Sequence, residues 1–167
     1  MAEFTTVNSG QTLHYQGYLD FARFWRLVRE LLEKRGYQYL EQEQNELVKK
    51  DGKHIHIHVD CDKPVSEYAK LRLVITLTTK NLRTVKIRRE EEEERETNEA
   101  EITLRAEAYV ITDYEGRYQK NAWMFFIRTM AEKFLYEREL KKFSHLVQRD
   151  LQDVLKEAKK YLNVFSA

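Results

Sequence analysis

Cysteine, glycine and proline are scarce in this chain of 167 residues, and each shortage excludes a class of protein. The single cysteine, Cys61, excludes an intrachain disulfide, so the sequence gives no support to secretion. The five glycines are scattered singly, so they form no phosphate-cradling loop. Ser9, Ser66 and Ser144 lack the flanking glycines of a nucleophile elbow. We therefore expect a protein that is not an enzyme and uses no cofactor.

Long apolar runs and a strong net charge are also missing. The longest apolar run, AWMFFI, is far shorter than the ~20 residues that a membrane-spanning helix needs. The first residues, MAEFTTVNSGQTLHYQ, show no basic region followed by an apolar run, which argues against a signal peptide. The formal net charge of +1 gives no long-range attraction for nucleic acid, although local basic patches leave such a partner open. We expect a cytoplasmic protein without a membrane span.

Apolar residues are nevertheless plentiful enough for a packed core. Hydrophobic residues make up 42% of the chain and aromatic residues 12%, which argues against global disorder. A length of 167 residues suits one domain, and no repeat or low-complexity linker divides it. The sequence therefore predicts a single domain over residues 1–167.

The segment GYLDFARFWRLVRELLEKRG predicts an N-terminal helix. Its apolar residues recur at the spacing that places them on one face: Phe21, Phe24, Trp25, Val28, Leu31 and Leu32. Asp20 suits the N-cap, and Gly36 suits the left-handed conformation that ends a helix. The preceding EFTTVNSGQTLHYQGY predicts a short strand or a hairpin with its turn at Asn8 to Gly10.

After Gly36 the apolar period changes from helical to alternating. Extended runs follow at about 37–49, 53–61, 68–79, 82–93 and 99–112, separated by the turns KKDGK, CDKPVS, TKN and ETNEA. Turns this short make consecutive strands antiparallel. Leu71 to Leu77 and Ile102 to Val110 each alternate between an apolar and a mostly polar face.

The C-terminal part contains neither glycine nor proline from Arg117 to Ala167, so one very long helix is open to it. The apolar stripe changes phase between Phe134 and Leu140, which suggests a bend or a second helix beginning near Ser144. The predicted fold is α+β: an antiparallel sheet of about five to six strands, with an N-terminal helix and one long or two C-terminal helices packed on one face.

The stretch KHIHIHVDCD is the one place where the sequence suggests metal chemistry. His54, His56 and His58 share one face of a strand, and alternate histidines can bind one metal ion. His56, His58 and Asp60 also match the first five positions of the HxHxD[H] pattern of metallo-β-lactamase-like hydrolases, but the sixth position is Cys61. The alternative is an ordinary half-buried strand, in which Ile55, Ile57, Val59 and Cys61 point inward. The residues between and after them then face water: His54, His56, His58, Asp60 and Asp62. We favour the strand.

Two further sets of residues are candidates for binding. The dense apolar region NAWMFFIRTMAEKFLY could line a ligand pocket or fill the core; its members are Trp123, Phe126, Ile127, Met130 and Phe134, facing the small residues Ala106 and Ala108. The second set follows the 3, 4, 3, 4 spacing of a coiled-coil seam: Leu151, Val154, Ala158, Tyr161 and Phe165. This seam fits a homodimer as well as it fits packing on the chain's own N-terminal helix.

The layout resembles the helix-grip plan of START/Bet v 1-like ligand-binding domains, and also small uncharacterised archaeal proteins of that plan. The segments that carry the resemblance are YLDFARFWRLVRELLEKRGYQYLEQE, AEAYVITDYEGRYQKNAWMFFIRTMAEKF and KKYLN. The resemblance implies a hydrophobic cavity between the sheet and the last helix, and it transfers no site residue.

Three hypotheses follow for the function, all of them non-catalytic. The first is a protein-interaction or assembly module that uses the C-terminal helix or an exposed sheet edge, in a homodimer or with a protein partner. The second is a carrier of a small apolar molecule in a helix-grip cavity. The third is a metal-binding protein that uses His54, His56 and His58.

Overall fold

The computed structural model of the protein describes residues 3–87, 95–112 and 137–165. Its strands are β1 (Glu3–Leu19), β2 (Gln38–Lys49), β3 (Gly52–Pro64), β4 (Ala69–Ile87) and β5 (Arg95–Thr112). Its helices are α1 (Phe21–Lys34) and α2 (Glu137–Phe165). The predicted α+β class is confirmed.

The five strands form one antiparallel sheet in the order β1-β5-β4-β3-β2. Strands β2 to β5 follow one another as a meander, and at most seven residues separate one strand from the next. The first strand lies beside β5 at the opposite edge. Within the described ranges, β1 and β2 are therefore the two edge strands.

One face of the sheet, which we call the helix face, carries the hydrophobic core. Each of the three central strands alternates, and its buried residues lie on this face: Ile55, Ile57, Val59 and Cys61 on β3; Leu71, Leu73, Ile75 and Leu77 on β4; Ile102, Leu104, Ala106, Ala108 and Val110 on β5. Phe24, Val28 and Leu32 of α1 join this cluster, as do residues of α2. The rings of Phe24 and Tyr161, 5.8 Å apart, connect the two helices. The predicted apolar faces are confirmed.

The ends of α1 follow local chemistry. The Asp20 side chain accepts a hydrogen bond of 2.9 Å from the amide of Arg23, which satisfies one of the unpaired donors at the helix start. Gly36 has a φ of 83°, a left-handed conformation that glycine adopts at low cost. Both predictions for this helix are confirmed.

Two predicted turns lie inside continuous strands. The TKN turn is wrong, because β4 runs through it to Ile87; Asn81 takes a φ of 54° and the register to β5 shifts between Lys80 and Arg83. The ETNEA turn is also wrong, since these residues belong to β5 and pair with the end of β4. A β-bulge accommodates an extra residue without ending the strand. Residues that favour turns therefore do not by themselves show whether a strand ends or only bulges.

The N-terminal segment is one strand of 17 residues rather than a short strand or hairpin. Its predicted turn is a bulged region, where the register to β5 shifts between Thr6 and Gln11. The Arg105 side chain crosses Gly10 so closely that an added Cβ would lie 2.8 Å from its Nε atom. Glycine suits this position for two reasons: the arginine side chain leaves no room for a Cβ atom, and the φ of 127° is one that residues with a side chain rarely adopt.

The helix α2 is continuous from Glu137 through Ser144 to Phe165, so the prediction of a helix start near Ser144 is wrong.

A buried ionic network attaches α2 to the rest of the protein. The carboxylate of Asp150, whose residue is 4% exposed, accepts hydrogen bonds from the Tyr37 hydroxyl at 3.1 Å and Lys63 Nζ at 3.2 Å. Arg35 Nε lies 3.9 Å from the other carboxylate oxygen of Asp150.

No helix in the described ranges is long and apolar enough to cross a membrane.

Candidate functional site

The three histidines of β3 lie on the second face of the sheet, opposite the helix face; we call it the histidine face. His56 is exposed, while His54 and His58 are half-buried. The Nδ1 atoms of His56 and His58 each lie 3.1 Å from a threonine hydroxyl of β4, on Thr78 and Thr76. Their aliphatic neighbours are buried on the other face, which is the alternating strand that the sequence predicted.

This histidine face provides no metal site in the described part of the chain. No three His, Cys, Asp or Glu side chains there lie close enough together to hold a metal ion. The Nε2 atom of His58 instead lies 3.3 Å from a carboxylate oxygen of Asp60. The described geometry therefore does not support a metal site at His54, His56 and His58, because no third ligand lies close enough to complete one.

A fourth histidine repeats the same contact on the opposite edge strand. His14 Nδ1 of β1 lies 3.1 Å from the hydroxyl of Thr103 on β5. The register places Thr103 opposite Thr78, which lies opposite His56. His14, Thr103, Thr78 and His56 thus form a row across the four strands β1, β5, β4 and β3. The sequence pattern does not predict this row, because it does not give the order of the strands in the sheet.

The prediction that Asp62 faces water is wrong, because its residue is only 4% exposed. Arg72 donates two hydrogen bonds to the carboxylate, from Nε at 2.6 Å and from a terminal nitrogen at 3.0 Å, and Lys70 Nζ lies 2.6 Å away. Burial opposes ionisation of Asp62, but the bonds from Arg72 and Lys70 outweigh it and hold the pKa below its ordinary value. Arg72 also reaches Asp60 at 3.3 Å.

Three cations of the histidine face thus lie against carboxylates. Lys70 and Arg72 pair with Asp62, and Arg105 pairs with Glu107 at 2.8 Å. A surface that binds phosphate needs cations free to exchange their counter-ions for it. This pairing disfavours the histidine face as a nucleic-acid surface.

The predicted ligand-binding residues divide into two groups. Those of the region NAWMFFIRTMAEKFLY lie outside the described residues: Trp123, Phe126, Ile127, Met130 and Phe134. Ala106 and Ala108 are fully buried on the helix face of β5. Their small side chains lie in the closely packed layer between sheet and helices. The pocket that they were predicted to line stays a prediction.

The predicted interaction residues of α2 lie on the side that faces the protein's own core. Leu151, Val154 and Ala158 are fully or almost fully buried in the cluster shared with the sheet. The Tyr161 hydroxyl donates a 3.3 Å hydrogen bond to the carbonyl of Asp20, and the side chain of Phe165 lies outside the described part. Self-association through this seam stays a prediction, and it would require α2 to leave the sheet.

The thiol of Cys61 lies in the core, as its predicted inward position on the strand requires. Burial raises its pKa to about 12, and the charges of Asp60 and Asp62 on either side add to the shift. The reactive thiolate is therefore almost absent near neutral pH. This geometry gives Cys61 no role as a nucleophile.

One exposed cavity, of about 350 Å³, lies along the outer surface of α1. The described residues that line it are Ala22, Trp25, Arg26, Arg29, Glu30 and Glu33. The two arginines and two glutamates balance in charge, so the described wall favours neither an anionic nor a cationic ligand.

The edge strand β2 differs from every other strand of the sheet. Leu40 and all residues from Gln42 to Lys49 are exposed, on both faces of the strand. Three of them are large apolar side chains, with exposed fractions of 55% for Leu40, 56% for Leu47 and 69% for Val48. The sequence contained the signal, since LEQEQNELVKK lacks the apolar alternation of a strand with one buried face.

The local geometry of β2 explains why it extends beyond the core. Its first part is anchored, because Tyr37 is buried just before the strand and Tyr39 packs under Arg29 of α1. A bulge between Tyr39 and Glu41 then interrupts the register with β3. Beyond the bulge, the positions on the helix face are Gln42, Gln44 and Glu46, which lie opposite Val59, Ile57 and Ile55. Polar residues occupy these positions because the helices do not cover this part of the sheet.

Comparison with known proteins does not identify the chain. No protein-family model matches it, and no curated protein matches its sequence. The function must therefore be inferred from the geometry of the molecule itself.

Proposed function

We propose that this protein is a non-catalytic protein-interaction module that binds an extended segment of a partner protein along the free edge of β2. The observation that supports it most is the exposure of the whole strand from Gln42 to Lys49, while within the described ranges β2 pairs only with β3. The added segment would become the next strand of the sheet.

The backbone of an edge strand supplies the affinity for such a partner. Amide and carbonyl groups of successive residues point alternately to the two sides of a strand, so about half of those in β2 point away from β3. A partner strand pairs with these groups, and side chains on alternate positions then add specificity. Each hydrogen bond contributes roughly 1 kcal/mol net while association costs several kcal/mol, so measurable binding needs a ladder along most of the strand.

The other edge strand is a poorer acceptor. Strand β1 contacts α2, because Asn8 donates a 3.2 Å hydrogen bond to Gln148, and its last residue, Leu19, is fully buried. Its bulged region between Thr6 and Gln11 also interrupts any regular ladder. In β2 the only register shift precedes Gln42, and the strand contains no proline. Natural proteins usually protect edges with such devices, so their absence after Leu40 supports a binding role.

Proline substitution tests the proposal directly. Proline removes an amide donor, and the outward-pointing amide belongs to one of any two neighbouring residues. We expect one of the variants Gln44→Pro and Asn45→Pro to keep the unfolding midpoint within a few degrees and to abolish binding of extended peptides selected on the wild-type protein from a display library. The other variant should lose stability, because it breaks the ladder with β3.

Alanine variants at the same positions are the matched controls. Gln44→Ala and Asn45→Ala keep both amides, so we expect peptide binding within about twofold of the wild type if the backbone dominates. Hydrogen exchange of the β2 amides should slow when a peptide binds. Unchanged binding in both proline variants, or protection confined to the histidine face, would overturn the proposal.

A further inference from the structure

The acidic character of β2 indicates what kind of segment it binds. Between Gln38 and Val48 the sequence has three glutamates, at positions 41, 43 and 46, and no lysine, arginine or aspartate. Glu43 is exposed and accepts a 2.9 Å hydrogen bond from Asn45 of its own strand. Glu46 is paired at 2.8 Å with Lys53, but both side chains are well exposed, so this pair contributes little and leaves the carboxylate accessible.

We infer that the segment accepted by β2 is basic, and that it runs antiparallel to β2 with a lysine or arginine opposite each of Glu43 and Glu46. This inference depends on the strand-addition function proposed above. Residues directly opposite on paired strands are about 5 Å apart, close enough for an ion pair. If the residue opposite Glu46 is n, the one opposite Glu43 is n+3, because an antiparallel partner is read in the reverse direction.

The apolar end of the strand completes the pattern. Leu47 and Val48 directly follow Glu46 and are among the most exposed apolar side chains of the described residues. In an antiparallel partner they face positions n−1 and n−2, where we expect apolar residues. The inferred recognition sequence is therefore two apolar residues, a basic residue, two residues of any kind and a second basic residue.

A second copy of this chain fits the edge less well than a basic segment. Antiparallel self-pairing can place Lys49 opposite Glu46 and the two apolar residues opposite each other, but β2 ends at Lys49, so no residue of the strand then lies opposite Glu43. The only lysines of the strand and its end, Lys49 and Lys50, lie at one end of it. The charge of the edge thus favours a different, basic partner.

Synthetic peptides of about ten residues test this inference on the full chain. The first carries leucine at n−1 and n−2 and lysine at n and n+3 in a Thr/Val background; the second has the reversed sequence; the third has glutamine in place of both lysines. We expect the first to bind about fivefold more tightly than the other two in fluorescence anisotropy, and its advantage to shrink at high salt.

A charge-swap experiment locates the contact. Glu43→Lys should weaken binding of the lysine peptide, and replacing lysine n+3 of the peptide by glutamate should restore it. Glu30→Lys, which makes the same charge change on the exposed surface of α1, should leave binding unchanged.

The outcomes separate this inference from the proposed function. If the glutamine and lysine peptides bind equally and the proline variants abolish both, the edge accepts strands but the inferred basic specificity is wrong. If the reversed peptide binds best, the antiparallel direction is wrong. If none of the designed peptides binds, the inferred recognition sequence is wrong. If the display library also yields no peptide that binds at β2, the glutamates only protect the edge from aggregation and the proposed function is overturned as well.

Discussion

Two buried carboxylates, Asp62 and Asp150, lie near the same corner of the sheet but on opposite faces. Each residue is 4% exposed. Asp62 takes its partners, Arg72 and Lys70, from the neighbouring strand β4. Asp150 takes its partners from separate parts of the fold, with Tyr37 before β2 and Lys63 on β3. The two carboxylates are equally buried but stabilise different contacts. The Asp62 network stabilises the pairing of β3 with β4, and the Asp150 network attaches α2 to the sheet.

The consecutive residues Asp62 and Lys63 show how one strand serves both networks. Alternation points Asp62 to the histidine face and Lys63 to the helix face, where it reaches Asp150. The Tyr37 hydroxyl lies under the same helix, and burial together with the Asp150 charge raises its pKa. A group that holds separate elements together should matter more for stability than one that reinforces an existing ladder.

The largest effect is expected from Asp150→Ala. This change leaves Lys63 and the Tyr37 hydroxyl without their partner beneath α2, and breaking a buried ionic network costs about 3 kcal/mol. We expect this loss in the free energy of unfolding measured by urea titration. Asp153→Ala is the matched control, since Asp153 is half exposed and contacts only Arg35 among these groups; its loss should stay below about 1 kcal/mol. Equal losses in the two variants would contradict the anchoring role.

The second-largest expected effect concerns Asp62, whose ionisation makes the free energy of unfolding depend on pH. Its pKa is lower in the folded protein than the ordinary 3.8, so its ionised form stabilises the fold. That contribution is fully present above about pH 4 and disappears as the pH falls through the lower folded value. Asp62→Asn should therefore cost about 2 kcal/mol at pH 7, and its difference from the wild type should shrink as the pH falls from 5 toward 2. A difference that does not change with pH would contradict the role of the charge.

A smaller effect is expected from Arg72→Lys, which keeps the charge but loses the two-pronged contact with Asp62. Lysine cannot donate two parallel hydrogen bonds in this planar geometry, so we expect a loss of about 1 kcal/mol in urea unfolding. Arg105→Lys makes the same change in an exposed pair with Glu107 and should cost less than about 0.5 kcal/mol. Indistinguishable losses would show that the shape of the guanidinium contributes nothing at Asp62.

The smallest effect concerns labelling of Cys61, which reports how tightly the helix face is covered. With a pKa of about 12, the thiol should resist iodoacetamide at pH 8 in the native protein and react readily in denaturant. Asp150→Ala should accelerate native labelling more than Asp62→Asn does, because Asp150, unlike Asp62, helps to attach the helix over this face. The rates are measured by mass spectrometry of timed samples. Fast labelling of the wild type would contradict the burial of Cys61.

Prediction from sequence succeeded where neighbouring residues decide the outcome. The alternation from Ile55 to Cys61 and the cap at Asp20 are confirmed, since pleat and helix end each depend on a few adjacent residues. It failed at TKN, where the pairing of β4 with its neighbours outweighs the turn preference of Asn81. It also failed at Asp62, whose burial depends on cations brought by another strand.

The candidate site was only partly predictable. An exposed sheet edge was among the sequence hypotheses. The missing apolar alternation in LEQEQNELVKK indicates a strand without a buried face, but its position at the edge is known only from the order β1-β5-β4-β3-β2. The residues nominated on α2 have a correct apolar spacing, yet Leu151 and Val154 are buried in the protein's own core. Spacing predicts which side of a helix is apolar and does not say what covers it.

By itself, then, the sequence determined where the strands and α1 place their apolar faces, because side-chain direction has a fixed period of two in a strand and 3.6 in a helix. Only the tertiary structure decided that β2 lies at an edge, that Asp62 is buried, and that Tyr37 meets Asp150 across 113 positions of the chain. These features depend on which distant segments meet, and that is determined by packing of the whole core.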